Sequence, residues 1–258
     1  MPDLSCRIAE VQERLGIRIE HLVEITSTND LAADPGRNAG DVVWAEVQTK
    51  GRGQRGNSWS SGAGENLTFS LILQPYLPAG QQFYISKIVS VGLIEALTAF
   101  DLPAEIKWPN DLYVGDRKTA GILIENDLQG AHIVKSVIGI GLNVNQLSFD
   151  PALPNPTSMR LATGKMFDRV AVLETVLERI FEWEKYLWEG RYAAVDEMYA
   201  GYLFRKSGTH RFQEPGGEPF EAVIEAVRPS GELILRPKDG PPKSYLFKEV
   251  EFIIKKSE

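Results

Sequence analysis

The chain has 258 residues, enough for one large domain or for a large and a small one, and its 43% hydrophobic and 24% charged residues are typical of a folded protein. A formal net charge of −7 argues against general nucleic-acid binding, and no apolar run is long enough to span a bilayer. A single cysteine, Cys6, allows no internal disulfide and fits the reducing cytoplasm, while three scattered histidines lack metal-ligand spacing.

Periodic apolar residues predict a succession of helices and strands before residue 205. The polar run 26–30 predicts a loop that leads into a short helix, with Thr28 or Asn29 as its N-cap. Three prolines predict a long loop over residues 146–157. Helices are predicted over residues 4–15, 81–100, 168–188 and 191–203, and strands over 18–25, 42–48, 67–74, 104–108, 111–115, 119–126 and 132–143.

The composition of the sequence changes after Arg205, where glycine, proline and short runs of alternating apolar and polar residues dominate. Short strands between frequent turns are typical of a small β-barrel. We therefore predict two domains, residues 1–205 and residues 206–258. Strands of the second domain are predicted over residues 209–214, 219–228, 232–236, 244–248 and 250–254.

Two of the predicted strands are joined by a loop of glycine and arginine, residues 51–56, called the glycine loop below. Its glycines have the spacing of a dinucleotide-binding motif, yet a polar segment follows where that motif needs a helix. It also lacks the lysine of a P-loop. What remains is a flexible backbone with two guanidiniums, Arg52 and Arg55, which suit a phosphate or a carboxylate. The hexapeptide alone is equally consistent with an ordinary surface loop.

Three further segments place polar residues beside apolar strands. Residues 107–111 end a strand at a tight bend, which fits either a ligand contact or a simple hairpin turn. Lys118 comes directly before an apolar strand, so it either pairs with an anion or turns to water. In residues 139–145, two glycines permit close approach to the strand, and Asn143 and Asn145 share one face; a β-bulge with polar turn residues is the alternative.

Together these segments supply flexible glycines, permanent positive charge and amide side chains. The sequence shows no Ser/His/Asp set, no catalytic cysteine pattern and no metal-binding cluster. This inventory favours electrostatic stabilisation of phosphoryl or acyl-phosphate chemistry over hydrolysis by a nucleophilic side chain.

The same segments resemble the biotin–protein ligase family in their order and spacing. The resemblance covers nearly the whole chain and implies an α+β fold, with a mixed β-sheet packed with helices in a class II synthetase-like catalytic domain. A small SH3-like β-barrel is expected to follow, since the tail ending in residues 247–250 resembles that of the family. The matching motifs are Thr26-Ser27-Thr28-Asn29, Gln48-Thr49-Lys50-Gly51-Arg52-Gly53-Gln54-Arg55-Gly56-Asn57-Ser58-Trp59, Lys107-Trp108-Pro109-Asn110-Asp111, Lys118-Thr119-Ala120-Gly121-Ile122-Leu123 and Gly139-Ile140-Gly141-Leu142-Asn143.

The resemblance implies a two-step reaction that uses biotin, ATP and Mg²⁺. The biotin carboxylate attacks the α-phosphate of ATP, which gives biotinyl-5′-AMP and pyrophosphate. A lysine of a biotin carboxyl carrier protein or domain, part of a biotin-dependent carboxylase, then attacks the mixed anhydride and AMP leaves. Because the substrates supply both attacking groups, positioning and positive charge are expected to carry much of the catalysis. The Mg²⁺ ligands stay unassigned.

The resemblance also assigns residues by their place in the motifs. Lys118 and Arg52 are the expected catalytic cations, Lys118 for the biotin carboxylate and the adenylate, and Arg52 for the phosphates. The glycine loop is expected to order over the adenylate and exclude water. The residues expected to bind biotin are Ser27, Thr28, Asn29, Gln48, Arg52, Gly53, Gln54, Lys118, Gly121 and Gly141, and those expected to bind ATP are Gly51, Arg52, Arg55, Gly56, Trp59, Lys107, Asn110, Asp111, Lys118 and Asn143.

Two features depart from the family pattern. Many members carry arginine where this chain has Gln54, which bears on how tightly the adenylate is held. The biotin-site motif begins by residue 27, which leaves no room for the N-terminal helix-turn-helix domain of members that also repress transcription. Together with the acidic balance, this predicts a ligase that binds neither DNA nor a membrane. Members of the family occur as monomers and as dimers, so a homodimer is possible and the resemblance does not decide the oligomeric state.

Three other functions compete with biotin ligation. A lipoate–protein ligase or octanoyltransferase shares the general fold, but its family pattern has a histidine close after an arginine-rich loop, and no histidine lies between His21 and His132. A non-catalytic biotin sensor would have no need for Lys118 and Arg52. A nucleic-acid-binding β-barrel is disfavoured because residues 206–258 have no basic excess and few aligned aromatic residues.

Overall fold

A mixed β-sheet with helices packed on it forms the larger part of the structure, a computed structural model that describes residues 3–254 apart from the side chain of Arg55. The strands of this sheet are β1 (Ile19–Ile25), β2 (Val42–Gln48), β3 (Leu67–Leu73), β4 (Leu77–Pro78), β5 (Glu105–Lys107), β6 (Asp111–Val114), β7 (Arg117–Gln129) and β8 (His132–Leu142). They lie in the order β1-β2-β3-β8-β7-β6-β5, with β4 paired to β8. The β1–β2 pair is parallel and the other pairs of described strands are antiparallel.

Successive side chains of a strand point to opposite faces, and this alternation gives the large sheet an apolar face and a polar face. On the apolar face, paired residues such as Phe69, Ile140 and Ile122 are buried in the core. On the polar face, one row of paired residues crosses five neighbouring strands, and residues paired in this way share a face. This row, called the floor row below, consists of Thr68, Gly141, Gly121, Asp111 and Lys107. Its four strand spacings make it about 19 Å long.

The helices complete the core around the large sheet. Helices α3 and α5 pack closely where Gly92 has no side chain. A Cβ on Gly92 would lie only 3.0 Å from the backbone of Ile180. Helix α5 begins after Asp168, whose carboxylate accepts hydrogen bonds from the first-turn backbone, as an N-cap does. The helices are α1 (Leu4–Leu15), α2 (Thr28–Ala32), α3 (Phe83–Ala99), α4 (Met159–Thr163), α5 (Arg169–Trp188) and α6 (Tyr192–Gly201). Between residues 3 and 254, none of them has the length and apolarity needed to cross a bilayer.

The order of the predicted elements agrees with the structure, but some details differ. Helix α2 begins at Thr28 with Ser27 at the N-cap position, so the prediction of Thr28 or Asn29 as N-cap is wrong. The short elements β4 and α4 were not predicted. Strand β7 is longer than predicted and includes Lys118, because its first residues pair with β6 and the rest, from Ala120 onward, pairs with β8.

A small β domain follows the helices, as the glycine- and proline-rich tail predicts. Its strands are β9 (His210–Gln213), β10 (Pro219–Val227), β11 (Leu233–Pro237), β12 (Lys243–Tyr245) and β13 (Glu251–Phe252). They form a five-stranded antiparallel sheet in the order β12-β11-β10-β9-β13.

Two buried side chains hold the small domain in place, one from the bend after β5 and one from helix α3. The indole of Trp108 donates a hydrogen bond to the carbonyl of Gly231 at 2.9 Å. The ammonium of Lys87 donates to the carbonyl of Val227 at 2.9 Å and to Asp196 at 2.6 Å. Since Trp108 precedes the bend at residues 109–111, this docking places residues of the segment 247–254 beside the polar face of the large sheet.

The buried carboxyl group of Glu184, in α5, makes the stability of the fold depend on pH. Burial raises its pKa from 4.5 to about 7, so the folded state keeps a proton that the unfolded chain has already released. Stability therefore falls as pH rises from 4.5 to 7, and the cost is fully present above pH 7. Glu184→Gln should stabilise the protein by about 3 kcal/mol at pH 8 and by little at pH 4.5.

Urea unfolding at both pH values measures this effect. Glu197→Gln, at an exposed position of α6, serves as the matched control and should change stability by less than ~0.5 kcal/mol at either pH. An equal gain from Glu184→Gln at both pH values would show that the effect does not come from the carboxyl proton.

Candidate active site

A cavity of 590 Å³ lies over the polar face of the large sheet. The glycine loop and the segment that follows it form one wall, and residues near the end of the small domain form another. Its volume is within the usual range for small-molecule sites. The segments singled out in the sequence contribute many of the lining residues, among them Ser27, Thr28, Asn29, Gln48, Arg52, Gly53, Gln54, Trp59, Lys107, Asn110, Asp111, Lys118, Gly121, Gly139 and Gly141.

Glycines form the middle of the cavity floor because side chains there would occupy the space of neighbours. A Cβ on Gly141 would collide with the indole of Trp59, and one on Gly139 would collide with the amide of Asn29. A Cβ on Gly121 would lie 3.2 Å from both Trp59 and the ammonium of Lys118. A close approach to Gly139 and Gly141 is therefore present, but side chains make it, where the sequence predicted another backbone or a ligand.

A cluster of buried hydroxyl and amide groups lines one end of the cavity. Gln48 Oε1 accepts hydrogen bonds from the backbone N–H of Thr28 at 2.7 Å and from its hydroxyl at 3.1 Å. The hydroxyl of Ser70 lies 2.8 Å from Thr28 Oγ1 and 2.6 Å from Asn29 Oδ1. These interactions fix the side chains without introducing a net charge, so this end suits a neutral polar ligand group.

The glycine loop is folded back on itself. The backbone N–H of Gly53 donates to the carbonyl of Asn57 at 2.7 Å, and that of Trp59 donates to the carbonyl of Gly51 at 2.9 Å. Residues Gln54–Gly56 form one 3₁₀ turn, not a helix that could direct its N-terminus at a phosphate.

Arg52 is held by two carboxylates. Its guanidinium contacts Glu125 at 2.8 Å and Asp30 at 2.7 Å, and the hydrogen bonds to Glu125 raise the pKa of Arg52. Glu125 also accepts a hydrogen bond from Asn29 at 2.7 Å, which joins the loop to the polar end of the cavity. Sequence reasoning missed this role of Glu125 and Asp30, because neither lies near Arg52 in the chain.

Lys118 lies above the glycine floor because of a β-bulge. The pairing of β6 with β7 shifts between Leu112 and Tyr113, so one residue of β7 is extra and the side chain of Lys118 turns to the cavity. Its ammonium contacts Asp111 at 2.7 Å and lies 5.8 Å from the ring centroid of Trp59. Of the two alternatives left open for this lysine, an anionic partner or a side chain turned to water, the structure shows the anionic partner.

Four of the residues expected to bind ATP are not placed in the cavity lining. Gly51, Gly56 and Asn143 lie outside the lining, and the Arg55 side chain lies outside the described part of the structure. The amide of Asn143 donates to the carbonyl of Thr157 at 2.9 Å, which fixes the end of β8. The amide of Asn110 lines the cavity but donates to the carbonyl of Ile122 at 2.7 Å.

Several lining residues were missed by sequence reasoning. Tyr113 and Asn155 come from strand and loop positions without a motif, and Glu251 and Phe252 come from the small domain. The position of Glu251 and Phe252 beside the cavity depends on how the two domains dock, and no local pattern in the sequence predicts that docking.

Comparison with known proteins agrees with the family suggested by the motifs. Residues 21–143 match the Biotin/lipoate A/B protein ligase family. The chain is 29% identical over 257 residues to the bifunctional ligase/repressor BirA of Bacillus spizizenii, covering 93% of this chain and 78% of that protein. It is 29% identical over 222 residues to a biotin–[acetyl-CoA-carboxylase] ligase of Paracoccus denitrificans, covering 83% and 92%.

A solved structure shares the fold. The biotin protein ligase of Aquifex aeolicus in complex with biotin and ATP superimposes with a TM-score of 0.76 at 26% identity, over 92% of this chain and 99% of that chain. The mixed sheet packed with helices is therefore the fold of that enzyme, as the resemblance implied.

The glycine floor generates a testable prediction. Gly141→Ala should weaken the binding of biotin, the ligand expected from the resemblance, by at least ~10-fold, because the new methyl group displaces the Trp59 indole or raises the floor. Isothermal titration with biotin measures the change, and thermal unfolding checks the fold.

Gly36→Ala provides the matched control, since a Cβ there meets no atom within 4 Å. Biotin should bind this variant as it binds the unaltered chain. Unchanged biotin affinity in a folded Gly141→Ala variant would contradict the assignment of this floor to the ligand.

Proposed function

We propose that this chain, which carries a domain of the Biotin/lipoate A/B protein ligase family, activates biotin with ATP and transfers it to a lysine of a biotin carboxyl carrier protein. The observation that carries this proposal is the position of Lys118. Its ammonium stands over a glycine floor, between an uncharged polar end and an end with further cations. Such a site suits a reaction in which two anions meet.

The uncharged end is proposed to bind the biotin ring. Thr28, Asn29 and Gln48 provide amide and hydroxyl groups that match the neutral ureido group of biotin. The acyl chain is then proposed to run past the Asn29 amide and the Trp59 indole, which cover Gly139 and Gly141, and its carboxylate reaches Lys118.

In the first step, a carboxylate oxygen of biotin forms a bond to the α-phosphorus of ATP, and the bond to the β-phosphate oxygen breaks. Lys118 offsets the repulsion between the two anions and stays with the mixed anhydride. Arg52 contributes once its bonds to Asp30 and Glu125 are exchanged for phosphate oxygens. No side chain has to act as a nucleophile.

In the second step, the amine of the carrier lysine attacks the carbonyl carbon of biotinyl-5′-AMP, and AMP leaves with the electron pair of the broken bond. The glycine loop is proposed to cover the anhydride and keep water away until the carrier arrives. Gln54 faces the cavity here, and its uncharged amide is proposed to hold the adenylate less tightly than a guanidinium would.

Mg²⁺ is proposed to arrive with ATP. Across the described residues, no group of three or more His, Cys, Asp or Glu side chains could hold a metal ion. Mg²⁺ commonly keeps its waters and binds substrate phosphates through one or two carboxylates, so the absence of a protein cage is compatible with this role.

The remaining parts of the proposal concern domain organisation. Residues 1–205 form the ligase domain and residues 206–258 a small domain of SH3-like type, supported by the separate five-stranded sheet. The family resemblance leaves both a monomer and a homodimer open.

Lipoate ligation is the second candidate, because the matched family includes lipoate ligases. The buried amide and hydroxyl groups favour biotin, since the dithiolane ring of lipoate has no N–H or C=O group to satisfy them.

Mass spectrometry of a biotin carboxyl carrier domain tests the proposed function. The domain is incubated with the full chain, ATP and Mg²⁺, together with biotin or lipoate. The proposal expects the mass of one biotinyl group to be added at one lysine. A lipoyl addition, or no addition with biotin, would refute it.

The role of Lys118 gives a prediction for the first step. Lys118→Ala should slow the formation of biotinyl-5′-AMP by at least ~100-fold, because the compact positive charge at the reacting atoms is lost. Rapid-quench chromatography of biotinyl-5′-AMP measures the rate in a single turnover.

Lys238→Ala, at an exposed position of the small domain, is the control and should react at the unaltered rate. Urea unfolding of both variants separates a loss of charge from a loss of fold. A folded Lys118→Ala variant that forms the adenylate at the normal rate would remove Lys118 from the mechanism.

A further inference from the structure

Two half-exposed carboxylates, called the carboxylate pair below, hold the guanidinium of Arg52 at the edge of the cavity without lining it themselves. Asp30 comes from helix α2 and Glu125 from strand β7, and both contact the same nitrogen of Arg52, at 2.7 and 2.8 Å. Among the side chains that the structure describes, no other cation lies within ion-pair distance of either carboxylate. One positive charge therefore stands between two negative ones.

The glycine loop passes this hold on to the cavity floor, because the loop continues into a short hairpin. Arg52 lies opposite Ser58 in an antiparallel β-bridge, and the backbone N–H of Trp59 donates to the carbonyl of Gly51. The Trp59 indole in turn covers Gly141. A hairpin closed in this way moves as a unit, so the position of Arg52 affects the position of Trp59.

Glu125 also joins the carboxylate pair to the uncharged end of the cavity. One of its oxygens accepts hydrogen bonds from both Arg52 and the amide of Asn29. The oxygen of that amide accepts from the hydroxyl of Ser70 at 2.6 Å, so the orientation of Asn29 is fixed. Arg52 is thereby tied to the end of the cavity that is proposed to bind the biotin ring.

We propose that Asp30 and Glu125 are positioning residues that hold Arg52 beside the biotin ring and compete with the phosphates of ATP for its guanidinium. The inference rests on the proposed function. While the carboxylate pair holds Arg52, the glycine loop stays over bound biotin and slows its release. When ATP binds, phosphate oxygens replace the carboxylates, which then repel each other and make the exchange costly. Removing one carboxylate therefore changes the binding of biotin and of ATP in opposite directions.

Two measurements on the full chain test this competition: single-turnover formation of biotinyl-5′-AMP at varied ATP, and release of labelled biotin without ATP. Asp30→Asn should lower the ATP concentration for half-maximal rate about threefold and speed biotin release about threefold, since half-exposed ion pairs are weak. The rate at saturating ATP should stay within twofold, because Asp30 touches no reacting atom. Glu125→Gln should shift both values in the same directions. Asp30→Glu keeps the charge and should stay within twofold of the unaltered chain.

Loss of a negative charge by itself also favours an anionic nucleotide, so the Arg52→Ala background separates the two explanations. If Asp30 acts through Arg52, Asp30→Asn should change neither value by more than about 1.5-fold in that background. An effect as large as in the unaltered chain would overturn the proposal. If Arg52→Ala forms too little adenylate to measure, biotin release decides. Asp34→Asn, at an exposed position, is the charge control and should leave both values unchanged.

The outcomes separate this inference from the proposed function. No biotinyl-5′-AMP from the unaltered chain would count against biotin activation, and against this inference with it. Adenylate formation by folded variants whose ATP and biotin values do not move, or move together, would overturn the role of the carboxylate pair alone. Urea unfolding checks each variant, and if Glu125→Gln does not fold, the result for Asp30→Asn decides.

Discussion

The repulsion between a carboxylate and a triphosphate is the constraint on which this site depends. Two unit charges of the same sign at 4 Å repel by about 4 kcal/mol at an effective dielectric constant of 20. A compact cation at the meeting point reduces that cost without any covalent chemistry. Lys118 is the cation that we propose for this position: its ammonium lies beside Gly121, and Asp111 and the Trp59 ring hold it there.

The architecture of the large sheet supplies the space for that meeting. Its apolar face is anchored by a core of buried aliphatic and aromatic residues, so its polar face can lack side chains at Gly121, Gly139 and Gly141 without loss of the sheet. The floor row then runs straight across five strands and offers about 19 Å of surface. A rigid sheet is a better support for reacting atoms than a loop, because its pairing fixes every position on it.

Much of this arrangement was predictable from the sequence, because alternation and glycine placement are local signals. The strands and the glycine loop follow from short segments, and so do the two alternatives for Lys118, of which the structure shows the anionic partner. The bulge that turns Lys118 to the cavity was not predictable, since it depends on the register between β6 and β7. The lining from Phe252 depends on the docking of the small domain, and the use of Asn143 as a structural donor depends on a distant carbonyl.

The central claim is that a carboxylate oxygen of biotin attacks the α-phosphate of ATP over the glycine floor, and oxygen labelling tests it most directly. Biotin labelled with ¹⁸O in both carboxylate oxygens is supplied with ATP, Mg²⁺ and a biotin carboxyl carrier domain, and the AMP released is examined by mass spectrometry. The account predicts that AMP gains one ¹⁸O atom, because the attacking oxygen stays on the phosphorus when the carrier lysine takes the acyl group. Unlabelled AMP, or ¹⁸O in pyrophosphate, would contradict it.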